Sequence, residues 1–203
     1  MVLNGLKSDN PPEFTLLVRN PDQIQYTQEE KAKLTLVKGS ADDKDAVRRA
    51  VENADVVVFS IGSAPTKTMQ MADPDVCARC SKVLLDVVSE MDKKPNRIIF
   101  VSSTGVTDKS EVPLLLRPLY KLLISKAHED KRAMEEVVHA KNPVDHIIVR
   151  PSMFTDGAQT EKYRTSSERL VGYTVSRADV GHFMFTQCLD KDTWLNKSVI
   201  VTN

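Results

Sequence analysis

Residues 97–105 read Arg97-Ile98-Ile99-Phe100-Val101-Ser102-Ser103-Thr104-Gly105. The apolar run is continuous rather than alternating, so a strand made of it must be buried on both faces. That is the pattern of a parallel sheet covered by helices. The run stops on hydroxyl residues and a glycine, which turn the chain and let a ligand approach the backbone closely. The same pattern recurs to either side, at Phe14–Arg19, Leu34–Val37, Asp55–Ile61, His146–Arg150 and Ser198–Val201.

Helical periodicity fills the intervals. Asp43 to Asn53 sets Val47, Ala50 and Val51 on one face, and Pro74 to Met91 does the same with Val76, Cys80, Val83, Leu84 and Val87. Lys126 to His139 turns Ala133, Met134, Val137 and Val138 inward and its Glu, Lys and Arg residues outward. Ser176 caps a last helix, with Asp179 at its third position. Strand and helix alternation predicts an α/β fold, a doubly wound parallel sheet in one domain over residues 1–203. The polar stretch from Asp156 to Tyr173 reads as a substrate-side loop or a plain solvated connection.

Composition narrows the function. Lys+Arg and Asp+Glu are both 28 in 203 residues, which excludes the charge footprint of a nucleic-acid or anionic-membrane binder. No apolar run reaches the roughly 20 residues of a membrane span, and no leader is read at the N-terminus. Three cysteines suit a reducing, cytoplasmic setting. A protein partner is possible but not indicated.

Ligands of open parallel sheets bind beyond the carboxyl ends of the strands. Those ends read Arg19-Asn20-Pro21, Gly39-Ser40-Ala41-Asp42, Ile61-Gly62-Ser63-Ala64-Pro65, Ser102 to Val106, and Arg150-Pro151-Ser152. Each alone is a turn; five at one sheet edge predict a site. The segments LLVRNP (16–21), VKGSADD (37–43), ADVVVFSIGS (54–63), FVSSTGV (100–106), DKRAMEEVV (130–138), HIIVRPS (146–152) and VSRADVGHFM (175–184) resemble the NmrA-like, atypical branch of the short-chain dehydrogenase/reductase superfamily. These are NAD(P)H-binding proteins.

The resemblance implies a Rossmann-like fold holding a dinucleotide. It places Arg19 against the adenosine 2′-phosphate, so that NADP is preferred to NAD. Asp42 would lie near the adenine, and Ser60, Ile61 and Gly62 along the ribose and pyrophosphate. Ser102 and Ser103 would approach the nicotinamide and Lys131 its ribose, with Pro151 and Ser152 on the carboxamide side. An NADP-dependent oxidoreductase acting on a small-molecule substrate follows. The alternatives are a non-catalytic dinucleotide-binding or regulatory protein, or an inactive truncated form.

Two departures from the family pattern stand out. The first strand and its Gly-rich turn are missing: no two of the seven glycines are close enough to make that turn. Roughly 25 residues of a βαβ unit are thus absent, and the chain alone is expected to bind NADP weakly or not at all. The Tyr-x-x-x-Lys pair is also missing, because Ala127 stands four residues before Lys131 and Ile124 four residues after Tyr120. Ser103, Lys131 and His128 remain as catalytic candidates, with His128 a proton donor near neutral pH or an exposed helix histidine. Cys77 and Cys80 form a CxxC inside a helical pattern, without the further ligands of a zinc site, and read as structural. Leu114 to Ile124 reads as a core-packed helix broken at Pro118, or else as a lid or partner surface.

Overall fold

The structure, a computed structural model, describes residues 1–63, 71–118 and 125–203. Its strands are β1 (Phe14–Val18), β2 (Leu34–Lys38), β3 (Val56–Phe59), β4 (Arg97–Val101), β5 (Asp145–Pro151), β6 (Met153–Thr155), β7 (Arg164–Ser166), β8 (Thr174–Ser176) and β9 (Lys197–Thr202). The helices are α1 (Val2–Leu6), α2 (Gln28–Ala32), α3 (Lys44–Val51), α4 (Val76–Glu90), α5 (Ser125–Lys141) and α6 (Arg177–Phe183), the last running into a π-turn, Met184–Cys188.

The central sheet has the order β3-β4-β5-β9-β7. All neighbours in it are parallel except β7, which runs antiparallel to β9. Its strands show why continuous apolar runs were needed. Ile98, Phe100 and Ile148 face one layer, with Leu84, Val88, Met134 and Val138 of α4 and α5. Ile99, Val101, Ile147 and Val149 face the other, with Val180 and Phe183 of α6 and Cys188. The expected α/β class and mainly parallel sheet are present.

β1 and β2 pair with each other, parallel, in a sheet of their own. α3 packs on both strands and against α4, which ties the pair to the larger sheet. β1 and β3 each keep one edge without a described strand partner. The stretch 156–173 is less irregular than its polarity suggested. It contains β7, and β6 and β8 pair just around it. Its Thr160 and Glu161 amides both donate to the fully buried Asp179 carboxylate, which also accepts from the Ser176 hydroxyl at 2.9 Å. The predicted cap is present, with Ser176 Oγ accepting from the Asp179 amide.

The inward face of α5 differs from expectation. Met134 and Val138 are buried as predicted, but so are Asp130 and Glu135. Buried carboxylates require partners, and both residues have them at the carboxyl edge of the sheet.

Candidate active site

Because β3, β4, β5 and β9 are parallel neighbours, their carboxyl ends share one edge. On α5, adjacent acidic and basic side chains clamp that edge. The Asp130 carboxylate accepts from the Cys77 and Ala78 amides, both at 2.9 Å, and so satisfies two of the free N–H groups in the first turn of α4. The Lys131 ammonium donates to the carbonyls of Ile61 and Val101, both at 2.7 Å, joining the ends of β3 and β4. Lys131 is at the site, with two of its three donors given to backbone.

Ser102 continues the β4 ladder by donating its amide to the Val149 carbonyl. Its hydroxyl turns inward and donates to Glu135 Oε1 at 2.5 Å. Glu135 also takes Arg150 Nη2 at 2.5 Å and Nε at 3.1 Å, a two-pronged ion pair. Arg150 reaches Glu111 at 3.4 Å, and Glu111 accepts the Gly105 amide at 2.9 Å. Burial pushes the Glu111 carboxyl up, against the pull of that amide and of Arg150. Gly105 has φ +76, and a Cβ there would meet Val112 at 2.5 Å, so the turn needs glycine. The network fixes the Ser102–Gly105 turn from below.

The Ser102 hydroxyl is thus bonded to Glu135. Ser103 is the partly open hydroxyl, with its oxygen 3.5 Å from His128 Nε2. His128 is not an exposed helix histidine. Burial, with Arg132 beside it, lowers its pKa to about 4, so at pH 7 it is the neutral imidazole, with one N–H donor and one acceptor nitrogen, rather than an imidazolium acid. Tyr120 and Ile124 lie outside the described residues, as do Ala64 and Pro65.

The remaining predicted residues follow the ends of their strands. Arg19 is exposed just past β1 and has no ion pair among the described residues. Asp42 is exposed past β2, and the Ser40 hydroxyl, with Arg79 at 3.8 Å, holds its carboxyl below the usual range. Ser60 and Gly62 are exposed, and a Cβ at Gly62 would meet nothing within 4 Å. Pro151 is buried. Ser152 is 2% exposed, yet its hydroxyl has no hydrogen-bond partner among the described residues. Open backbone at Gly62, together with the Arg19 guanidinium and the buried Ser152 hydroxyl, both without partners among the described residues, fit a polar, anionic ligand at the strand ends.

Cys77 is structural: it is buried, its thiol donates to the Ile61 carbonyl at 3.3 Å, and burial pushes it up to about 12. Leu114 and Leu115 are exposed, which overturns the core-packed reading for that part of 114–124. An open cleft of about 690 Å³ lies elsewhere, between α1 and residues 156–159 and 177–178, and none of the predicted site residues lines it. Nothing in the sequence marks Asp130, Glu135, Glu111 and Arg150 as buried and partnered, although Asp130, Glu135 and Arg150 lie inside segments quoted for the resemblance.

Comparisons with known proteins bear on the family and the fold. A reductase of Aspergillus terreus, pytE, is 28% identical over 83% of this chain and 77% of its own length. An oxidase of Aspergillus niger, pynE, is 25% identical over 95% and 86%. Among solved structures, a short-chain dehydrogenase/reductase of Veillonella parvula in complex with NADP superposes with a TM-score of 0.78. It is 18% identical and covers 100% of this chain and 88% of that one. An anaerobilin reductase of Escherichia coli, ChuY, superposes at 0.66, with 17% identity over 93% and 83%. The NAD(P)H-binding family model matches residues 1–191, and this chain belongs to that family.

Proposed function

We propose that the chain is an NADP-dependent oxidoreductase acting on a small carbonyl, flavin-like or other conjugated substrate. The observation that carries this reading is the set of strand ends, where the exposed Arg19 follows β1, the open Gly62 backbone follows β3 and the buried Ser152 hydroxyl, without a partner among the described residues, follows β5. A bound nicotinamide dinucleotide supplies the hydride. The chain's own residues bind and orient. Arg19 meets the 2′-phosphate and makes NADP preferred to NAD, and Asp42 lies near the adenine. Ser60, Ile61 and Gly62 border the ribose and pyrophosphate. Lys131 fixes the ends of β3 and β4, and its third donor serves the nicotinamide ribose. Pro151 and Ser152 serve the carboxamide.

The Ser103 hydroxyl orients the reacting carbonyl. His128, neutral at working pH, orients that hydroxyl as a hydrogen-bond partner, and the proton comes from solvent. Ser102 acts through Glu135, holding the turn on which Ser103 sits.

A second reading, a dinucleotide-binding protein without turnover, is favoured by Lys131. Its bonds to Ile61 and Val101 are those of a structural clamp. Turnover of NADPH against a panel of quinones and flavins separates the two.

No two glycines stand close enough to form a pyrophosphate turn, so selectivity is a better test than absolute affinity. Calorimetric titration of NADPH and NADH into the chain and into Arg19→Ala tests the cofactor assignment. The variant should lose about ten- to a hundredfold of the preference for NADPH, the worth of one charge-assisted contact. Equal affinity of the unaltered chain for both nucleotides would overturn it.

A further inference from the structure

Two carboxylates share the Arg150 guanidinium beneath the Ser102–Gly105 turn, and they hold it unequally. Glu135 takes Nη2 at 2.5 Å and Nε at 3.1 Å, whereas Glu111 takes only Nη1, at 3.4 Å. The firm bond of Glu111 is to the turn itself, 2.9 Å from the Gly105 amide. Both carboxylates are buried, Glu135 on α5 and Glu111 at the end of a short 3₁₀ turn, Lys109–Glu111. Loss of Glu135 would strand Arg150 and the Ser102 hydroxyl inside. Loss of Glu111 leaves Arg150 with both of its short bonds and frees only the Gly105 amide.

That amide lies two residues beyond Ser103. The place where a Gly105 Cβ would be is bounded by Val112, the chain neighbour of Glu111, at 2.5 Å and by His128 Cε1 at 3.5 Å. His128 Nε2 is in turn 3.5 Å from the Ser103 hydroxyl. Glu111 through its bond and Val112 through its side chain thus hold one turn against the His128 ring. On the other side of Gly105, Arg132 pins the Val106 carbonyl with Nε at 2.9 Å and Nη2 at 2.7 Å. The charged groups acting on Glu111 are Arg150 on β5, Glu135 on α5 and Asp108 on its own segment.

We propose that Glu111 is the positioning residue of the Ser103–His128 pair. By accepting the Gly105 amide, its carboxylate sets the turn that brings the Ser103 hydroxyl to His128 and helps hold the imidazole away from water. It touches neither substrate nor nucleotide. The inference rests on the role given above to Ser103 and adds the residue that controls it.

Glu111→Ala and Glu111→Gln test it, because Gln keeps an acceptor for the Gly105 amide while giving up the charge. NMR titration of the His128 ring, assigned with His128→Gln, reads the turn without any turnover. Removing a carboxylate lowers a histidine midpoint by charge alone, so a rise reports water reaching the ring. In Glu111→Ala the midpoint should rise from about 4 to above about 5, and in Glu111→Gln it should not rise. With NADPH and 2-methyl-1,4-naphthoquinone, kcat should fall about tenfold or more in Glu111→Ala, with KM for NADPH unchanged within about twofold. Glu111→Gln should recover most of that loss. An unmoved midpoint or an unmoved kcat in Glu111→Ala, a Gln variant that behaves like the Ala variant, or global unfolding of Glu111→Ala by circular dichroism would each overturn the proposal. If no turnover is found while the His128 rise and its rescue are present, the oxidoreductase reading falls and the positioning role stands.

Discussion

β4 and β1 look alike in sequence, Arg-Ile-Ile-Phe-Val against Phe-Thr-Leu-Leu-Val, yet they live in different surroundings. β4 lies between β3 and β5 with helices on both faces, and Ile98, Ile99 and Phe100 have no exposed surface. β1 has β2 on one side and no described strand on the other, and no residue of either strand is buried. An apolar run measures what a strand needs covered, and neighbours decide how much is covered. Arg19 and Asp42 sit on the thinly covered pair, whereas Gly62, Ser103 and Ser152 sit on the densely packed sheet. A dinucleotide reaching from Arg19 to Ser152 would therefore join the two sheets.

The contrast predicts unequal costs for equal deletions. Phe100→Ala should destabilise the chain by about 3–5 kcal/mol and Leu16→Ala by only about 1–2 kcal/mol, since a half-exposed side chain leaves a smaller cavity and less lost burial. Denaturant titration reads both. Equal losses would mean that β1 is as well covered as β4.

Glu135→Ala probes the polar floor of the dense region. It leaves Arg150 and the Ser102 hydroxyl inside without their shared acceptor. The expected cost is about 3–5 kcal/mol, as for other buried pairs broken on one side. A loss below about 1 kcal/mol would show that solvent reaches the network.

A smaller effect is expected from His128. In the unfolded chain it takes its proton near pH 6.5, and in the fold near pH 4. Between those values the unfolded state binds more protons, so this contribution to stability is complete above about pH 6.5 and drains away as pH falls toward 4. His128→Gln should lose less stability than the unaltered chain between pH 7 and pH 4. Parallel pH profiles would place His128 in water.

The strand ends and the fold class were legible because periodicity and turn residues are local properties. The resemblance pointed to the same edge. The Glu135–Arg150–Glu111 network was not legible, because its members lie on α5, β5 and the segment after β4, and nothing local marks a carboxylate as buried. On α5 the charged residues were read as the wet face, when Asp130 caps α4 and Glu135 holds Arg150. His128 was misread for the same reason: its neutrality comes from burial and from Arg132, which depend on the packed turn around Gly105.

Hydrogen exchange with and without millimolar NADP+ tests the joining of the two sheets most directly. Without nucleotide, the amides of β1 and β2 should exchange much faster than those of β4 and β5. With it, protection should rise in β1 and β2 and around Gly62 and Ser103 together. Nucleotide binding that protects Gly62 and Ser103 but leaves β1 and β2 unchanged would contradict the account, as would no protection at either place.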